Sequence, residues 1–211
     1  MKFLYDFLNR FWKVQLQSYF HGFIINVKSR GNKKMLKKVV EIAHDILKSH
    51  LNENSVAVDF TCGGGNDTLF LSELVKEVYS YDIQFEALEE AKKRCEDRSN
   101  VFFFHKSHAF FEEDVTSFDA GIFNLGYYPK GNHEITTDKD TVVETISKAL
   151  LRLNEKGILV IVCYPGFEKG KEEAEAIMEY CENLVSQKWD VFLFKLVNRN
   201  QAPFIIGIEK H

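Results

Sequence analysis

The sequence is poor in residues that divide a chain into separate units. Among 211 residues there are three prolines, Pro129, Pro165 and Pro203, and no internal repeat or low-complexity stretch. With 45% hydrophobic and 14% aromatic residues, the chain has apolar surface for one sizeable core and is short for two. No run approaches the roughly 20 apolar residues of a membrane helix, and Asp6, Arg10 and Lys13 interrupt the aromatic N-terminus. Neither a signal peptide nor a membrane partner is expected, and the reading is a cytoplasmic protein. The four cysteines, Cys62, Cys95, Cys163 and Cys181, form no C-x-x-C pair and no Cys/His cluster of zinc spacing, so no metal site is expected. They read as reduced, mostly buried thiols, Cys62 among them.

Charge is unevenly spread. Residues 1–38 hold nine basic side chains, among them Lys2, Arg10, Lys13, Lys28 and Arg30, against the single acid Asp6, which leaves about −12 on the rest of a chain whose net charge is −4. A basic, aromatic-rich arm on an acidic domain suits nucleic acid, because neutralising phosphates supplies sequence-independent affinity. The same residues also fit an amphipathic helix docked through Phe3, Phe7, Phe11 and Trp12. The docked arm is the favoured reading, with electrostatics secondary. Residues 1–34 are expected to be a helical appendage and residues 35–211 the catalytic domain.

After the arm, Leu36, Val39, Val40, Ala43, Ile46 and Leu47 are spaced for one apolar helix face between Met35 and Leu51. Short apolar runs follow at Val56–Phe60, Val78–Tyr81, Val101–Phe104, Ala120–Phe123 and Ile158–Cys163, most of them separated by charged helical segments. That alternation predicts βαβ units and a mainly parallel sheet buried on both faces. Val191–Val197 and Phe204–Ile208 are joined by too few residues for a crossover helix and should pair antiparallel. The fold class expected is therefore α/β and Rossmann-like: a mainly parallel seven-stranded sheet ending in an antiparallel hairpin, the order of class I methyltransferases rather than of nicotinamide dehydrogenases.

Open α/β sheets bind ligands beyond the carboxyl ends of their strands, so the residues after each strand are candidate site residues. The first strand runs into Asp59-Phe60-Thr61-Cys62-Gly63-Gly64-Gly65-Asn66-Asp67-Thr68, where Gly63 and Gly65 permit a sharp turn close to a ligand, and a helical run through Leu69, Phe70, Leu71 and Leu74 follows. The third glycine of the dinucleotide fingerprint is missing. The second strand ends at Asp82, followed by Gln84, and a short carboxylate there suits the two hydroxyls of an adenosine ribose; a helix N-cap is the plainer alternative. Ser107 and His108 follow the third strand. Asn124 closes the fourth, ahead of Tyr127, Tyr128, Pro129 and His133, in partial likeness to the Asn-Pro-Pro-Tyr loop of amino-group methyltransferases.

Taken together, Asp59–Leu74, Ser107-His108, Phe123-Asn124-Leu125-Gly126-Tyr127, Thr136-Thr137, Tyr164-Pro165-Gly166, Gly170-Lys171-Glu172-Glu173 and the Asn-rich closing hairpin resemble the small bacterial rRNA methylase family. The resemblance spans about Met35 to Lys210. It departs from the family pattern at Gly64 and Asn66, where Asn and His are usual, and at Phe167, where His is common. It implies a class I fold, S-adenosylmethionine as cofactor, and RNA as partner. It further implies methylation of the amine of 5-aminomethyl-2-thiouridine at the tRNA wobble position.

On that reading Gly63, Gly65, Asn66, Asp67, Asp82, Gln84, Ser107, His108 and Asn124 hold the cofactor. Asn124, Tyr127 and His133 are the candidate catalytic residues, with Tyr127, Tyr128 and His133 against the base, since RNA readers stack splayed-out bases on aromatics. A homodimer is compatible with the sequence. Alternatives are methylation of rRNA or of a small molecule, a nicotinamide oxidoreductase on the same glycine turn, or a non-catalytic RNA-binding protein.

Overall fold

Runs of Val, Ile and Phe bounded by polar turns become strands because β-branched and aromatic side chains pack well on a pleated surface. In the computed structural model, which describes residues 36–126 and 138–211, seven such runs share one sheet. The basic arm of residues 1–34, and with it the docked-helix expectation, lies outside the described residues. The chain divides into the units Met1–Lys37 and Lys38–His211, and the fold is that of the second.

The elements run α1 (Val39–His50), β1 (Val56–Asp59), α2 (Asn66–Ser72), β2 (Glu77–Asp82), α3 (Phe85–Arg94), β3 (Val101–His105), a 3-10 turn (His108–Glu113), β4 (Phe118–Asn124), α4 (Lys139–Arg152), β5 (Leu153–Cys163), α5 (Glu168–Glu182), β6 (Trp189–Phe194) and β7 (Phe204–Lys210). Strand order is β3-β2-β1-β4-β5-β7-β6. The first five strands are parallel, while β7 runs antiparallel to both β5 and β6. This is the sheet expected from the sequence. Strand order reverses between β1 and β4, which places the switch point at the ends of those two strands.

Alternation along the strands divides the core. Val58, Phe123, Leu159 and Ile161 pack with Val142, Ile146 and Ala149 of α4 and Ala174 and Ile177 of α5. Ala57, Ile122, Ile158 and Val160 face the other way, against Ile42, Ala43 and Leu47 of α1 and Leu71 of α2. The i, i+1, i+5 placement of those three α1 residues gives the single apolar face its pattern promised. Residues Gly157 to Cys163 are buried without interruption, as expected of a strand covered on both sides.

Three boundaries differ from the sequence pattern by more than two residues. The first helix starts at Val39 rather than Met35, where the backbone amide of Lys38 donates to Glu41 Oε2 at 3.2 Å. β5 starts at Leu153, because Leu153 pairs with Phe118 before a register shift carries the ladder to Ala120 and Ile158. Lys156, with φ 63°, turns the chain there. β6 is Trp189–Phe194 rather than 191–197: its last pair is Phe194 with Ile205, and Val197 is left 93% exposed.

Gly121 lies where the two central strands and an aromatic cluster meet. A Cβ there would sit 2.7 Å from Leu159 Cδ1 and 2.9 Å from the Phe60 ring, which itself stacks on Phe123 at 4.3 Å. Gly121→Ala is expected to lower stability by about 1–3 kcal/mol through overpacking. Urea unfolding should show a lower midpoint at unchanged slope. An unchanged midpoint would show that Leu159 and Phe60 yield at no cost.

Candidate active site

The turn after β1 is held before it is free to bend. Phe60 N donates to Ile122 O at 3.0 Å and Cys62 N to Tyr81 O at 2.9 Å, so the chain stays pinned to both neighbouring strands as it leaves the sheet. Gly63 (φ +49°) and Gly65 (φ +80°) then adopt the left-handed region that side chains disfavour. At Gly65 a Cβ would also meet Ala91 Cα at 2.8 Å, which fixes how closely α2 approaches α3. Cys62 is buried, its sulfur 3.4 Å from Thr68 Oγ1, and burial pushes its thiol pKa up. It packs, as expected.

A cleft of about 880 Å³ opens at these strand ends, lined by Gly63, Asn66, Asp67, Asp82, Gln84, Ser107, His108 and Asn124. Of the residues singled out in the sequence, only Gly65 among the described ones is absent from the lining. Tyr127, Tyr128 and His133 lie outside the described residues.

Asp82 does more than end a strand. Its Oδ2 accepts from Gly63 N at 2.7 Å and its Oδ1 from Gln84 N at 2.8 Å, clamping the glycine turn to the turn before α3. Gln84, not Asp82, stands at the N-cap of α3. Burial raises the Asp82 pKa against the lowering effect of these N–H donors. A carboxylate offers about four acceptor sites, so the clamp leaves capacity for a ligand hydroxyl.

Ser107 caps the 3-10 turn, its hydroxyl accepting from Ala109 N at 3.2 Å. His108 is buried beside Thr145 Oγ1 at 3.1 Å and edge-on to Phe123, and burial lowers its pKa to about 4, which keeps it neutral.

The other half of the cleft is a polar chain. Asp67 Oδ1 lies 2.6 Å from His44 Nε2, and Asp67 Oδ2 accepts from Asn124 Nδ2 at 2.8 Å. Asn124 Oδ1 accepts from the Tyr164 hydroxyl at 2.8 Å, and Asn124 N donates to Thr61 Oγ1 at 2.7 Å. His44 stacks flat on Phe70 at 3.8 Å. Beneath the chain, fully buried Asp59 accepts from Thr68 Oγ1 at 2.6 Å and Thr61 N at 3.1 Å.

Sequence reasoning named neither His44, Tyr164 nor Asp59 as site residues. Tyr164 follows β5, so the strand-end rule that found Asn124 reaches it too. His44 precedes the first strand, and no spacing in the sequence connects it with Asp67.

Comparison with known proteins places this architecture. The family model described as "Putative rRNA methylase" matches residues 78–209. The chloroplastic tRNA (mnm5s2U34)-methyltransferase of Arabidopsis thaliana is 30% identical over 192 residues, covering 82% of this chain and 70% of that protein. The chain belongs to the rRNA methylase family.

Two solved structures of similar proteins have the same fold. SMU.1697c of Streptococcus mutans, in complex with SAH, is 36% identical with a TM-score of 0.78, covering 83% of this chain and 99% of that one. An rRNA methylase from Streptococcus thermophilus is 32% identical with a TM-score of 0.72, covering 84% and 99%. This rRNA methylase family member is thus an S-adenosylmethionine-dependent methyltransferase.

The cleft fits such a cofactor by its own chemistry. The position a Cβ would take at Gly63 is open, with nothing nearer than Thr61 O at 4.0 Å, and Asp82 stands beside it with acceptor capacity in reserve. Asp82→Ala is expected to weaken S-adenosylmethionine binding roughly tenfold to a hundredfold in calorimetry. The melting temperature should fall as well, since Gly63 N and Gln84 N lose their acceptor. Wild-type affinity in the folded variant would remove Asp82 from the cofactor site.

Asp59 gives the site a pH signature. Burial, then the charge of Asp67, pushes its pKa up to about 7 from the ordinary carboxylate range. A carboxyl whose folded pKa is raised favours folding while protonated, so its contribution is complete below about pH 4 and is lost as pH rises through about 7. Stability measured from pH 4 to 8 should therefore fall more steeply in the wild-type protein than in Asp59→Asn. Parallel curves would show that Asp59 titrates alike in both states.

Proposed function

We propose that this methyltransferase acts on RNA, and that its acceptor is the exocyclic amine of 5-aminomethyl-2-thiouridine at the tRNA wobble position. The observation that carries this reading is the joining, in one cleft, of a glycine-turn half built on Gly63 and Asp82 to a polar half built on Asp67, Asn124 and Tyr164. The tRNA position comes from the relative in Arabidopsis thaliana. The family's own description favours rRNA as the second reading.

The bound cofactor supplies an activated methyl group: the amine nitrogen forms a bond to that carbon, the carbon–sulfur bond breaks to leave a neutral thioether, and the nitrogen then sheds a proton to solvent. What the chain must contribute is position, because holding two reactants in line removes a large entropic barrier. The amine has to arrive neutral. In this reading Gly63, Asn66, Asp82 and Gln84 serve the cofactor, while Ser107 and His108 close its far wall. Gly65 acts indirectly, by setting the approach of α2. Asn124 acts on the chemical step, fixed from both sides by Asp67 and Tyr164. Tyr127, Tyr128 and His133 are the candidates to receive the base.

Mass spectrometry of nucleosides from tRNA and rRNA, with and without the active protein, tests the reading. Loss of the methylaminomethyl nucleoside from tRNA alone is the expected result, and a change confined to rRNA would overturn the tRNA assignment. Asn124→Ala should lower turnover at saturating substrate more than it weakens cofactor binding. Normal turnover would remove Asn124 from the chemistry.

A further inference from the structure

The chain of hydrogen bonds from Asp67 to Tyr164 has a direction. An ionised carboxylate only accepts, so Asp67 Oδ2 obliges Asn124 to turn its NH₂ group inward, at 2.8 Å. The network therefore assigns the amide orientation. Asn124 Oδ1 then faces the opposite way and takes the only hydrogen of the Tyr164 hydroxyl, also at 2.8 Å. What Tyr164 has left is lone pairs.

Its ring lies in the cleft wall, beside the backbone of Gly126. Burial, with the charge of Asp67 second, raises the phenol pKa to about 12, so the hydrogen stays in place at neutral pH.

We infer that Tyr164 recognises the acceptor amine, by accepting one of its N–H hydrogens at Oη. The inference rests on the proposal that the acceptor is an exocyclic amine. A group that presents only lone pairs, such as a carbonyl or a thiocarbonyl oxygen or sulfur, meets a lone pair at Tyr164 and gains nothing. A neutral amine loses nothing by the contact: one N–H goes to Oη, and the nitrogen's own lone pair is turned away from Tyr164 into the cleft. Asn124 is then a positioning residue, its side-chain oxygen holding the Tyr164 hydroxyl. Asp67 supports it, and His44 holds Asp67 at 2.6 Å.

The test uses the full-length protein and a tRNA anticodon stem-loop with 5-aminomethyl-2-thiouridine or plain uridine at the wobble position. Tyr164→Phe keeps the ring and removes the acceptor. Turnover on the amine stem-loop should fall tenfold to a hundredfold. Affinity for S-adenosylmethionine should stay within about twofold, and the binding preference for the amine stem-loop over the plain one should be lost.

Asp67→Asn adds a donor that allows the Asn124 amide to turn over, so it should lower turnover by itself. In its background Tyr164→Phe should cost much less than in the wild-type protein. Wild-type turnover in Tyr164→Phe, a loss explained by weaker cofactor binding, or two losses that simply multiply would each overturn the inference. If Tyr164→Phe does not fold, wild-type turnover in Asp67→Asn does the same. Should the wild-type protein leave the amine stem-loop unmethylated, the amine reading of the function fails, and the Tyr164 contact falls with it.

Discussion

The site depends on the reversal of strand order at β1. Because β1 pairs in parallel with both β2 and β4, and each of these runs two residues past the level of Asp59, the chain leaving β1 emerges between two parallel strands. The helices that follow cover opposite faces of the sheet, α2 with one core cluster and α4 with the other. A crevice is the geometric consequence, and everything polar in the site is fitted to it. The first residues past Asp59 still bond to β4 and β2, through Phe60 N and Cys62 N, so the glycine turn begins from a fixed place.

That crevice gathers three carboxyl groups, Asp59, Asp67 and Asp82. All three are tied down by donors: Asp82 by Gly63 N and Gln84 N, Asp67 by Asn124 and His44, Asp59 by Thr68 Oγ1 and Thr61 N. Asp59 lies deepest, and its pKa carries the cost, raised by burial first, then by Asp67, with Asp82 a smaller cause. An arrangement of this kind is disfavoured as a resting structure and becomes less so beside a positive ligand, because opposite charge nearby favours the ionised form. A sulfonium centre is such a ligand. The electrostatics of the cleft thus agree with the family's chemistry.

The fold was readable because its signals are local. Alternating apolar runs and helical faces repeat along the chain, and the short link from β6 to β7 leaves no room for a crossover. Boundaries were read less well where pairing partners decided them: β6 stops at Phe194 although Leu196 and Val197 continue an apolar pattern. Half of the site was readable for a related reason, since Asp82 and Asn124 end strands and the glycine turn directly follows one. His44 was not, because only distance in space joins it to Asp67 across 23 positions, whereas Tyr164, just past β5, lies within reach of the same rule.

The polar chain also shows why a residue's place in a motif does not fix its role. The sequence makes Asn124 a candidate catalytic residue because it ends β4 ahead of an aromatic loop. Once Asp67 takes its NH₂ group and Tyr164 its oxygen, the side chain has become a relay of orientation between two neighbours. Reversing any one member would force the next to exchange donor for acceptor, since each has few hydrogens to give. The chain can end at the cleft in a lone pair only because it starts from an acceptor-only carboxylate.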